Sequence, residues 1–198
     1  MRVASLRQAV WHPHVNALGA PLALRHWLTG RGSLTAKLVE RSSVFRVQRL
    51  HQRTALCLAD EAGAIGMARP GRVWEREVLL KCDGRALVFA HTVVPMSATG
   101  ADWPLFGALG ERSLGSTLFG DPQVRRGSLQ YARLRSAHPL ARRALAALGA
   151  AGVEQRVMYA RRCVYRRHHG LLLVTEVFLP EITALNTPIF NIPTNTTK

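Results

Sequence analysis

The chain has 198 residues, 47% of them hydrophobic and 20% charged, with 27 Lys+Arg against 12 Asp+Glu for a formal charge of +15. That length suits one self-standing domain, and the composition argues against disorder. No apolar run approaches the ~18 residues of a transmembrane helix, and Met1-Arg-Val-Ala-Ser-Leu-Arg-Gln8 lacks the apolar core of a secretory signal. The expectation is a cytoplasmic protein with no stable membrane insertion.

Gly19-Ala-Pro21 marks a loop, after which Leu22 to Leu28 reads as a short helix with Trp27 on its apolar side. Thr29 to Ser33 interrupts it. Ser33 is an N-cap for a second helix running to about Arg41, with Leu34 and Leu38 on one stripe. The two read as packed helices rather than as a DNA-reading head. Val44 to Arg53 alternates polar with β-branched and aromatic residues and predicts a strand, followed by a Gly/Pro-rich loop over 55–71. Val73 to Cys82 and Arg85 to Val94 flank Asp83-Gly84, a strong hairpin signal, and Pro95 closes the return strand. Glycines and Pro104 break residues 96–120 into short pieces, one of them a helix capped by Ser113 and starting at Leu114. Gln123 to Arg135 predicts a strand, His138 to Gly149 an alanine-rich helix, Val153 to Arg166 a strand, and Leu171 to Leu179 a last strand ended by Pro180. Residues 1–180 thus form one domain and 181–198 a loosely held tail. Five or so antiparallel strands with helices before and between them, and no βαβ alternation, define an α+β fold.

Of the basic residues, 24 are arginines and only three are lysines. Either coding bias or an anion-binding surface gives such a skew, since guanidinium forks onto carboxylate or phosphate. The arginines are scattered and no nucleic-acid module appears, so nucleic acid is not an expected partner. Cys57, Cys82 and Cys163 are an odd number, far apart in sequence and without a CxxC, so neither a disulfide framework nor a zinc site is expected. His12, His14, His168 and His169 lack acidic or thiol companions at ligand spacing, so no metal is expected. Neither a GxGxxG turn, a P-loop nor a GxSxG elbow is present.

Two charges fall on faces that the strand period reserves for hydrophobes. Arg76 shares a face with Trp74, Val78 and Leu80, and Glu176 shares one with Leu172, Val174 and Phe178. A two-residue turn at Asp83-Gly84 also sets His91 opposite Arg76. Buried charges need partners. Arg76 and Glu176 therefore either form a structural ion pair, or lie on strands whose other face is the core, or grip a ligand, Arg76 holding a carboxylate and Glu176 a hydroxyl between apolar walls.

Five segments carry a family resemblance: His26-Trp-Leu-Thr-Gly-Arg-Gly-Ser-Leu-Thr35, Trp74-Glu-Arg-Glu-Val-Leu-Leu80 with Asp83-Gly84, Thr92-Val-Val-Pro95, Leu109 to Phe119, and Leu171 to Pro180. In this order they resemble chorismate pyruvate-lyase, over about residues 25–180. The resemblance implies an antiparallel sheet with helical flaps over a buried site. It also implies conversion of chorismate to 4-hydroxybenzoate and pyruvate at the start of bacterial ubiquinone synthesis; aromatisation drives that reaction, so no cofactor is expected, and the chain is expected to be a monomer. It places Arg76 at the ring carboxylate, Glu176 near the phenol oxygen, and backbone amides of Leu34 and Leu114 at the ligand; His91, a donor in place of the family's arginine, is expected at the enolpyruvyl carboxylate. The stretch 138–152 reads as an insertion. The rival reading is a non-catalytic small-anion-binding module of similar fold, the effector domain of a transcription regulator.

Overall fold

The computed structural model describes residues 7–149 and 157–186. Its frame is one antiparallel sheet of six strands: β1 (Phe45–Leu56), β2 (Arg72–Cys82), β3 (Arg85–Pro95), β4 (Val124–Arg135), β5 (Val157–Arg167) and β6 (Gly170–Phe178). They run in the spatial order β1-β2-β3-β6-β5-β4. Helices α1 (Leu22–Thr29), α2 (Leu34–Val39), α3 (Leu114–Gly120) and α4 (Pro139–Ala147) lie before and between the strands. The class is α+β, as the hairpin signals imply. Two three-stranded halves join where β3 pairs with β6, from Val88↔Phe178 to Val93↔Leu173.

Both sheet faces are covered. On one, Val78, Leu80, Val88 and Phe178 meet Trp27, Leu28, Leu34 and Leu38 of α1 and α2. Helix α1 buries Leu24, Trp27 and Leu28, an i, i+3, i+4 stripe facing the sheet. Ser33 Oγ accepts from the Ala36 amide at 3.2 Å and starts α2. On the opposite face, Leu79, Phe89, Leu134 and Val177 pack against Leu140, Ala141, Ala144 and Leu145 of α4. The stretch that reads as an insertion therefore closes the second core. Its residues 150–152, and the 153–156 start expected for β5, lie outside the described residues. The loose tail does not begin at 181, because Pro180–Asn186 forms a 3-10 helix and Ile182 enters the core. Residues 187–198 lie outside the described residues.

The hairpin has its expected turn but not its expected register. Asp83 and Gly84 take φ of 49° and 80°, the type I′ geometry that matches strand twist. Lys81 pairs with Ala86, yet Leu80 pairs with Val88, so Leu87 is an extra residue that bulges β3. Beyond it every pairing is displaced by one residue. Arg76 faces Thr92, and His91 faces Glu77. A one-residue slip moves a side chain to the other face of the sheet, so His91 does not stand beside Arg76.

Candidate active site

The pocket sits on the α1–α2 face, over the seam between the sheet halves. Small side chains make its floor: Ala90 and Thr92 occupy the middle of β3, where Val88 and Val94 flank them on the same face. Arg76 rises from β2 and Glu176 from β6. Their Cα positions are two strand spacings and two residues apart, about 12 Å on standard sheet dimensions. Both line the one cavity, walled by Val47, Val78, Leu80, Val174 and Tyr165.

Arg76 is 2% exposed. Its Nη2 donates to the carbonyls of Gly110 (3.0 Å) and Arg112 (2.9 Å), in the loop before α3. Its Nε donates to nothing among the described residues, and no carboxylate there pairs with it. Burial, and secondarily the charge of Arg49, pull its pKa down to about 10, which still leaves a cation at neutral pH. A buried cation without a counter-ion is a costly arrangement that a bound anion relieves.

The structural Arg76–Glu176 pair does not form, because Glu176 is held by Arg161. Arg161 Nε donates to Glu176 Oε2 at 2.5 Å. Its Nη1 donates to the carbonyls of Trp27 (3.0 Å), Leu28 (3.2 Å) and Gly30 (2.9 Å) at the end of α1. One buried guanidinium thus ties the pocket carboxylate to the flap above it. Sequence reasoning missed Arg161, although the signal that exposed Arg76 was there: on β5 it alternates with Tyr159, Cys163 and Tyr165 on the apolar face.

Two flaps roof the pocket. Leu34 and Leu114 are the first residues of α2 and α3, and both line the cavity. First-turn amides have no partner within their own helix, and these two residues border the cavity. The flaps meet through a hydrogen bond between Thr35 Oγ1 and Ser113 Oγ at 2.8 Å. Gly115 eases the approach, since a Cβ there would lie 3.1 Å from Thr35 Oγ1, a tight contact.

His91 is absent from this pocket. It is fully buried on the opposite face, where its Nδ1 lies 3.0 Å from Glu77 Oε1 and its Nε2 2.9 Å from Glu61 Oε1. Burial disfavours its charge, but Glu61 and Glu77 outweigh that and push its pKa up to about 10. The expectation that it meets a substrate carboxylate is corrected: its partners are carboxylates of the protein. The same layer contains the one group of potential metal ligands found among the described residues, His51, Glu75 and Glu77. Arg143 of α4 fills that role of counter-charge, 2.9 Å from Glu75 Oε2 and 2.7 Å from Glu77 Oε1.

An open antiparallel sheet with two helical flaps over an arginine-lined pocket defines the class: an α+β domain with one buried face roofed by helices. The fold resembles the effector domain of PhnF from Mycobacterium smegmatis, with a TM-score of 0.53 at 17% identity over 77% of this chain and 91% of that one. A GntR-family transcriptional regulator from Bacillus cereus gives a TM-score of 0.52 at 12% identity, over 70% of this chain and 94% of that one. At such identities the likeness concerns fold alone. Sequence is more specific: the chorismate lyase family model matches residues 5–186. The chain is 48% identical to a probable chorismate pyruvate-lyase of Cupriavidus metallidurans, over 91% of this chain and 85% of that protein. It is 42% identical to one from Dechloromonas aromatica, over 91% of this chain and 99% of that protein. The chain belongs to the chorismate lyase family.

Proposed function

We propose that this chain is a cytoplasmic, monomeric lyase that converts chorismate to 4-hydroxybenzoate and pyruvate, the first committed step of bacterial ubiquinone synthesis. The observation that carries this reading is Arg76, a buried cation with no counter-ion among the described residues, lining the same cavity as Glu176. The reaction removes the C4 hydrogen and breaks the C3–O bond. The ring becomes aromatic, and the departing enolpyruvate gains a proton to become pyruvate. No electrons are exchanged with a cofactor, so the residues' task is placement, charge stabilisation and one proton transfer.

Arg76 anchors the ring carboxylate through Nε and the remaining guanidinium hydrogens. Glu176, fixed by Arg161, meets the C4 hydroxyl at the other end and takes up the proton, directly or through the substrate. The amides of Leu34 and Leu114 contribute donors from the flaps, and flap closure excludes water. The test is direct: pure protein with chorismate, in the presence of a chelator, generates 4-hydroxybenzoate absorbance and stoichiometric pyruvate. Binding of chorismate without turnover would instead establish a non-catalytic module.

A further inference from the structure

Resting on that reading, one chemical requirement of the substrate is still unmet. Chorismate is a dianion, and Arg76 accounts for one carboxylate. His91, on the far face of the sheet, cannot serve the other. Among the described residues, the cavity is lined by three arginines: Arg76, Arg126 and Arg161. Arg161 is already committed to Glu176 and three carbonyls. Arg126 is the remaining one.

Its placement is built into the strand. Arg126 pairs with Tyr165, but the ladder next resumes at Leu129↔Cys163, so Gly127 and Ser128 oppose Val164 alone. This bulge interrupts the edge strand just where Arg126 turns into the cavity. Gly127 is required there, because a Cβ would lie 2.9 Å from the Val164 carbonyl oxygen, which is backbone and cannot step aside. The Arg126 guanidinium reaches the first flap through a hydrogen bond from Nη1 to the carbonyl of Arg31. Its Nε is buried and donates to nothing among the described residues. The nearby Cys163 thiol aims its own hydrogen at the Gly127 carbonyl, at 3.3 Å, and sulfur is a weak acceptor. No carboxylate among the described residues pairs with Arg126.

We infer that Arg126 is the receptor for the second carboxylate of the substrate, the one on the enolpyruvyl group that departs. Arg76, Glu176 and Arg126 stand on β2, β6 and β4 and line one cavity; by register Arg126 lies level with Leu172, Arg76 level with Val174, and Glu176 two residues further on, so their Cα positions do not fall on one line. That matches a ring with a carboxylate at C1, a hydroxyl at C4 and the enolpyruvyl ether beside it at C3. Two cations that no carboxylate among the described residues contacts as an ion pair meet a ligand with two negative charges. The aromatic product keeps only one of them.

This last difference supplies the test. Arg126→Met and Arg126→Lys are compared with wild type for chorismate turnover and for 4-hydroxybenzoate affinity, the latter by direct titration. Arg126→Met raises KM for chorismate, or lowers kcat/KM, by on the order of 10–100-fold, the loss expected for a charge-assisted contact. Its affinity for 4-hydroxybenzoate stays within about twofold, and that same binding shows that the variant is folded. Arg126→Lys recovers part of the chorismate defect. Unchanged kinetics in Arg126→Met, or equal losses for substrate and product, overturn the assignment, the second outcome marking Arg126 as a strut of the flap. A wild-type protein that makes no 4-hydroxybenzoate overturns the lyase reading itself, and the assignment with it.

Discussion

Replacing Arg76 by methionine separates a ligand-binding role from a structural one, because the two roles move stability in opposite directions. The native guanidinium is buried beside the charge of Arg49, and its pKa is pulled below the ordinary arginine value to about 10. At 1.36 kcal/mol per unit, that shift corresponds to an unfavourable term of about 3 kcal/mol in the unliganded protein. Methionine removes this term and keeps most of the side-chain volume. It also gives up two charge-assisted hydrogen bonds, to Gly110 and Arg112, which together contribute a comparable amount. The net change in stability is therefore small, within about 1 kcal/mol, or ~2–4 °C in Tm for a chain of this size. The ligand loses far more. Removing one partner of a buried ion pair costs about 3–5 kcal/mol, which is a factor of ~10²–10³ or more in affinity. Thermal unfolding and 4-hydroxybenzoate titration of the same preparation read both quantities. A Tm lowered by more than ~8 °C with affinity kept within fivefold would refute the reasoning and make Arg76 a structural residue.

Glu176→Gln keeps the size and the hydroxyl contact but removes proton acceptance; kcat falls by at least 100-fold while 4-hydroxybenzoate affinity changes less than tenfold, and equal losses in both would count against proton transfer. Gly127→Ala drives a methyl into the Val164 carbonyl, 2.9 Å away, so stability drops by about 1–3 kcal/mol in denaturant titration, and KM for chorismate rises because Arg126 is displaced. The His91–Glu77 pair sets the pH dependence of stability. His91 is raised from 6.5 to about 10, so its contribution is complete below pH 6.5 and is lost as pH rises through 10. For Glu77, burial is outweighed by His91 and Arg143, and its pKa is lowered from 4.5 to about 2; its contribution is complete above pH 4.5 and is lost as pH falls through 2. Tm scans of wild type should therefore peak between pH 4.5 and 6.5 and decline toward pH 10, whereas His91→Gln should lose the alkaline decline; parallel curves would contradict this pairing.

The sheet was legible wherever alternation and turn chemistry agree. Asp83-Gly84 fixed the hairpin, and Arg76 and Glu176 stood out because each interrupts an apolar face. Placing His91 failed for a definable reason: one bulged residue, Leu87, carries no mark in the sequence, and beyond it the face of every residue on β3 is inverted. Arg161 was open to the same polarity argument as Arg76. Arg126 was not, because the bulge at Gly127-Ser128 breaks the alternation that would have revealed its face. The second face was concealed for another reason. Glu61, Glu75, Glu77, His91 and Arg143 come from four separate elements, and their mutual neutralisation exists only after these have packed.

The junction of β3 with β6 gives the ligand a mechanical role. Residues some 85 positions apart zip together there, and Arg76 and Glu176 project from opposite sides of that join. A molecule gripped at both ends acts as a cross-brace between an N-terminal and a C-terminal meander. Occupancy should then make the two halves unfold as one unit, with stability rising as RT ln(1 + [L]/Kd). Sliding one meander against the other would alter the span between the two grips, which makes the pocket a gauge of how well the halves are aligned.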